Sequence, residues 1–127
     1  MIILGIDPGT ARLGYGVIEE YHIKISLIDY GCLEPPKGTS KAERLLAVHN
    51  KVLELIEKYR PASLAIEKLF FFKNQKTVLS ISEARGVILS AAQMNNLNIG
   101  EYTPLQIKQA VTGYGRAEKK QIQKMVQ

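Results

Sequence analysis

The chain has 127 residues, 46% hydrophobic and 23% charged, with ten glycines, five prolines and one cysteine. That suits a single domain with a substantial core and excludes disulfide-stapled, collagen-like and low-complexity classes. The net charge of +5 is concentrated: Lys68, Lys73, Lys76 and Arg85 face only Glu83 within residues 68–85, and Lys108, Arg116, Lys119, Lys120 and Lys124 face only Glu118 within residues 103–127. Two basic segments on a slightly acidic body point to a polyanionic partner, with a merely solvated basic face as the competing reading.

Met1 to Ile6 reads as a buried strand closed by the turn Asp7-Pro8-Gly9. The run meets a charge too early for a signal peptide and no apolar run approaches a membrane span, so a cytoplasmic location is expected. Leu13 to Ile18 and Tyr21 to Leu33 read as two further strands, the latter alternating through Ile23, Ile25 and Leu27. Short connections make the three an antiparallel meander. Ser40 with Glu43 forms a capping box, opening a helix to about Tyr59 with Leu45, His49, Val52 and Ile56 on one face. His49 reads there as a core histidine, not a ligand, and Pro61 ends the helix.

Ala62 to Glu67 is a short apolar strand ending on a charge. A second helix is expected to start between Thr77 and Ser80, where Ser80 and Glu83 make another capping box, and to reach about Asn95. Its stretch Val87 to Ala92 has almost no polar face, as a subunit interface or a helix wedged between sheet and neighbour would require. Ile99 to Tyr102 reads as the last strand, and Thr103-Pro104 as the start of a helix to Gly113, with another from Arg116 onward. This order predicts one α/β domain over residues 1–127, a mixed five-stranded sheet with helices packed on both faces.

The chain holds only two aspartates, Asp7 and Asp29. Asp7 and Glu67 each follow a short apolar run, where an unpaired carboxylate is costly. If their strands are neighbours, the two acids can converge on one divalent cation, since Mg²⁺ prefers oxygen ligands and keeps part of its water shell. Two strand-end acids facing solvent is the alternative.

Gly5-Ile6-Asp7-Pro8-Gly9, Gly14-Tyr15-Gly16 and Ala65-Ile66-Glu67-Lys68 resemble the opening strands and central acid of the crossover junction endodeoxyribonuclease (RuvC) family of Holliday junction resolvases. Phe70, Lys73-Asn74, Glu83-Ala84-Arg85-Gly86, Glu101-Tyr102 and the segment from Gly113 to Lys119 continue the likeness in order and spacing. The resemblance implies a ribonuclease H-like fold and a homodimer in which each subunit cuts one of two opposed strands of a four-way junction, in recombination and repair. It implies Mg²⁺ or Mn²⁺, two ions in the complete site, with Asp7 and Glu67 as metal ligands and catalytic residues. It places Phe70 at the junction centre and Lys108 and Lys119 on the phosphate backbone, with Lys73, Lys76, Arg85, Arg116 and Lys120 as weaker candidates for the same DNA-binding field. A homodimer contact through the helix around Val87 to Ala92 and a branch-migration motor as a further partner also follow from it.

The family completes its metal site with an Asp-x-x-Asp pair on a C-terminal helix, whereas the acids after Glu67 are Glu83, Glu101 and Glu118. The polypeptide is therefore expected to lack that helix, to bind junctions and to cut them poorly or not at all. Two alternatives stand beside the nuclease: a non-catalytic junction-binding domain, and a related ribonuclease H-like enzyme acting on RNA. An actin-like ATPase shares the glycine-rich turn around its first acid, but 127 residues leave no room for its second nucleotide-binding half.

Overall fold

The computed structural model describes residues 1–68 and 75–102. Five strands and two helices follow in the order β1 (Ile2–Pro8), β2 (Leu13–Tyr21), β3 (Lys24–Leu33), α1 (Lys41–Tyr59), β4 (Ser63–Glu67), α2 (Gln75–Met94) and β5 (Asn98–Tyr102). They form one sheet in the order β3-β2-β1-β4-β5. The first three strands are the expected antiparallel meander, and β4 and β5 join parallel to β1 through the two helical crossovers. The helices expected after Thr103, and hence any layer they form on the sheet, lie outside the described residues.

Alternation along the central strands decides which face each side chain takes. Leu4 and Ile6 of β1, Val17 of β2, and Leu64 and Ile66 of β4 point to one face and are buried. Against them pack Val48, Val52, Leu55 and Ile56 of α1 and Ile88, Ala91 and Ala92 of α2. Both described helices therefore cover the same face of the sheet. Alanines 91 and 92 let α2 approach closely, and Ile88, with no exposed surface, is its main anchor. Ile88→Ala is expected to cost roughly 2–5 kcal/mol in urea unfolding, the transfer of the lost methylenes plus the void they leave. A loss below about 1 kcal/mol would mean that the site collapses around the smaller side chain.

Three sequence expectations need correction. The first concerns α2, which starts at Gln75 rather than between Thr77 and Ser80. Ser80 and Glu83 instead tie the two helices together: Arg44 Nη2 donates to Ser80 Oγ at 3.4 Å, and Lys41 pairs with Glu83 at 3.5 Å. The second concerns the long third strand, which begins only at Lys24: the β2–β3 hairpin turns at His22 (φ 57°) and leaves Ile23 almost fully exposed. Its register also shifts between Val17 and Ile18, the mark of a bulge. The third concerns His49, which is half-buried and lines a groove between α1 and α2 with Leu45, Leu46, Glu83, Val87 and Ser90. Ser40 caps α1 as expected, its hydroxyl accepting from the Glu43 N–H at 3.1 Å.

Candidate functional site

The two carboxylates are brought together by strand register. Ile6 of β1 sits beside Ile66 of β4 in a parallel ladder, so the next residues, Asp7 and Glu67, lie side by side near the ends of neighbouring strands. Adjacent strands lie about 4.8 Å apart. Because Ile6 and Ile66 face the helices, both acids project from the opposite face. Gly14 of β2 pairs with Asp7 on its other side, and a side chain there would start 3.9 Å from the Asp7 Cβ. One step back along the strands, Gly16, Gly5, Ala65 and Gly100 form a cross-sheet row on the acids' face. These residues add almost no side-chain bulk next to the carboxylates.

Electrostatics sets the pair apart from the other acids. Burial raises the Asp7 pKa above its ordinary value. Glu67 is raised by burial first and then by the negative charge of Asp7, while the Arg85 guanidinium pulls it the other way. Two acids that each disfavour ionisation of the site, with no described side chain donating a hydrogen bond to either, form a place that a hard cation would stabilise. The chemistry of the donors thus fits a divalent ion. Two carboxylates are only part of a two-ion ligand set, and no cluster of three or more metal-binding side chains exists among the described residues. Asp29 is different in kind: it accepts the Tyr59 hydroxyl at 2.6 Å and the Tyr30 N–H at 2.8 Å, fastening β3 to the end of α1.

The turn that follows Asp7 is held tightly. Gly9 N–H donates to the Arg12 carbonyl at 2.9 Å, and a Cβ on Gly9 would lie 2.8 Å from that oxygen. Only glycine fits there without moving the segment that carries Asp7.

Of the DNA-binding candidates, Lys76 is exposed in the first turn of α2. Arg85 is buried at 9% exposure; its guanidinium donates to the Glu67 carbonyl oxygen and pairs with the Glu101 carboxylate. Phe70, Lys73, Lys108, Arg116, Lys119 and Lys120 lie outside the described residues. Sequence reading left Glu101 without a role. The available signal was Arg85 itself, an arginine set among Ala84, Ile88, Ala91 and Ala92 on the apolar face of α2, which needs a buried acceptor.

A mixed sheet with two acids near the ends of adjacent parallel strands, backed by helices on the other face, is the arrangement of the ribonuclease H-like proteins. The family described as crossover junction endodeoxyribonuclease RuvC matches residues 3–127. Relatives of that name from Fusobacterium nucleatum subsp. nucleatum and Petrotoga mobilis are 53% and 54% identical, over 100% and 98% of this chain and 67% and 76% of their own lengths. Thermus thermophilus RuvC, solved in complex with a Holliday junction substrate, superposes with a TM-score of 0.84 at 27% identity, covering 99% of this chain and 79% of that one. The Fowlpox virus Holliday junction resolvase shares the fold, with a TM-score of 0.56 at 20% identity over 82% of this chain and 63% of its own. This chain belongs to the RuvC family of crossover junction endodeoxyribonucleases.

Proposed function

We propose that the chain is a structure-selective endonuclease that resolves four-way DNA junctions by metal-dependent phosphodiester hydrolysis, with Asp7 and Glu67 as metal ligands. The observation that carries the assignment of the site is the register that sets these two acids side by side on the face turned away from the helices. Mg²⁺ or Mn²⁺ bound there would supply a water of lowered pKa and offset charge on the leaving oxygen. Asp7 and Glu67 hold that charge in place. The fixed turn at Gly9 keeps Asp7 at its position, and the small residues beside the pair leave the sheet surface low. Further oxygen ligands for a second ion would have to come from outside the described residues.

Lys108 and Lys119, with Lys73, Lys76, Arg116 and Lys120, would supply phosphate contacts, and Phe70 an aromatic surface for a base at the junction centre. Phosphate contacts fix register without reading sequence, so selectivity would rest on junction shape spread over two subunits. A homodimer is supported by what α2 leaves uncovered. Ile88, Ala91 and Ala92 are used inside the subunit, but Val87 and Ser90 line the groove with Leu45, Leu46 and His49, and Leu46 is 57% exposed. A contact there would bring α1 as well as α2 into the interface. Among the described residues no helix is long and apolar enough to cross a membrane; action on chromosomal DNA in the cytoplasm is the setting we infer.

The test is cleavage of an end-labelled four-way junction in Mg²⁺, beside a linear duplex of the same sequence. It is run on this chain and on a chimera continued through the C-terminal segment of the Fusobacterium nucleatum relative, of which the chain spans 67%. Paired nicks on opposed strands that need the metal are expected, with the chimera at least about tenfold faster, or roughly 1.4 kcal/mol of barrier. Binding to the junction without metal-dependent cutting by either polypeptide would leave the non-catalytic binding domain as the correct reading.

A further inference from the structure

We propose that Arg85 is a positioning residue for the metal ligand Glu67, acting from behind the sheet, and that it does not bind DNA. The inference rests on the metal-site reading above. Its starting point is a cost: an arginine on the buried face of α2 is tolerated only if its charge and donors are matched. The structure matches them at one place. One arm of the guanidinium donates to the backbone carbonyl of Glu67, the last residue of β4, and the other meets the Glu101 carboxylate of β5. Glu101 pairs with Ile66 in the parallel ladder and shares its face, the face covered by α2. The Glu67 side chain, one residue on, points to the other face.

Arg85 is thus separated from the acid cleft by the sheet itself. It binds the main chain that carries the ligand rather than the ligand's carboxylate, and Glu101 holds the guanidinium so that the bond to β4 is directed. The bidentate fork of arginine suits this, because two acceptors on adjacent strands are met at once; a lysine ammonium meets them only as a point charge. The guanidinium also favours the ionised form of Glu67, against the burial and the Asp7 charge that raise its pKa.

The two possible roles predict opposite signs. If Arg85 acted on the site only through its charge, removing a cation near the acids would tighten metal binding. If it positions β4, removal loosens metal binding even though a repulsive charge is gone. The experiment measures Mn²⁺ affinity by the electron paramagnetic resonance of the free ion, and junction affinity by fluorescence anisotropy in EDTA. Both are read on the full chain and its variants at a temperature where melting shows each to be folded.

Arg85→Met is expected to weaken Mn²⁺ roughly tenfold or more, the size seen when groups that orient metal ligands are removed, with junction affinity within about twofold. Arg85→Lys should fall between wild type and Arg85→Met, and it carries the test alone if the methionine variant does not fold. Unchanged or tighter Mn²⁺ binding would overturn the proposal, as would a loss of junction affinity of about tenfold, 1.4 kcal/mol, at unchanged Mn²⁺ affinity. Asp7→Asn is the control that keeps the two readings apart. If it leaves Mn²⁺ binding intact, the metal site itself is misassigned; if it abolishes binding while the Arg85 variants do not change it, the positioning role alone fails.

Discussion

Asp7→Asn is expected to lower metal-dependent junction cleavage by roughly a hundred- to a thousandfold, about 3–4 kcal/mol of barrier, and to leave the folded protein more stable. Both effects come from one placement. Asp7 ends a strand whose neighbours are covered, and burial raises its pKa in the folded state from the ordinary 3.8. An acid with a raised folded pKa binds its proton more tightly when folded, so its contribution to stability is greatest at low pH. That contribution falls as pH rises past 3.8 and is fully lost above the folded value. At neutral pH without a divalent ion the ionised group therefore destabilises the fold, and Glu67 adds to this because burial and the Asp7 charge raise it too. Asparagine removes the charge and nearly keeps the shape. In EDTA the variant is expected to melt a few degrees higher, the range of about 0.5–2 kcal/mol found when a functional compromise is relieved. Mg²⁺ should raise the melting temperature of the wild type and leave that of the variant unchanged. A variant that cuts at the wild-type rate in the chimera, or that melts lower than wild type in EDTA, would remove Asp7 from the site.

The acids were legible in the sequence because each closes a short apolar run of strand period, and a parallel pairing of those runs is enough to place them together. The cap at Ser40 was legible for the same local reason: its geometry depends on the segment from Ser40 to Glu43 and nothing distant. What the sequence concealed is tertiary. Ser80 and Glu83 have the spacing of a capping box, yet both are spent on α1, where Arg44 and Lys41 meet them, and α2 begins upstream at Gln75. The hairpin turn at His22 falls inside the run that alternates as one strand, so Ile23 sits in the turn and lands in solvent. Arg85 shows the limit most directly. Its position in a basic segment suggested a phosphate contact, whereas its position on the apolar stripe of α2 demanded partners for its charge and donors, and only the fold shows that Glu101 and the end of β4 supply them. Counting positive charges along a sequence overstates the field available to DNA when one of them is already paired inside.

That distinction sets the salt dependence of junction binding. Neutralising each duplex phosphate releases counterions, with a slope of about −0.9 per contact in log affinity against log salt. With Lys108 and Lys119 as the main contacts and two of the flanking cations joining them, about four contacts predict a loss of junction affinity exceeding a hundredfold between about 50 and 200 mM salt. The measurement is fluorescence anisotropy of a labelled junction in EDTA across that range, so that cleavage does not intervene. Lys108→Ala and Lys119→Ala should each make the slope shallower by about one. Arg85→Met should leave the slope unchanged, since its charge is already matched by Glu101 behind the sheet. A linear duplex should bind more weakly than the junction throughout, because its arms present the same phosphates without the branched geometry. Equal affinity for the two, with the slope shared, would reduce the basic segments to generic polyanion attraction. A slope that falls on replacing Arg85 but not Lys108 or Lys119 would assign the phosphate contacts to the wrong residues.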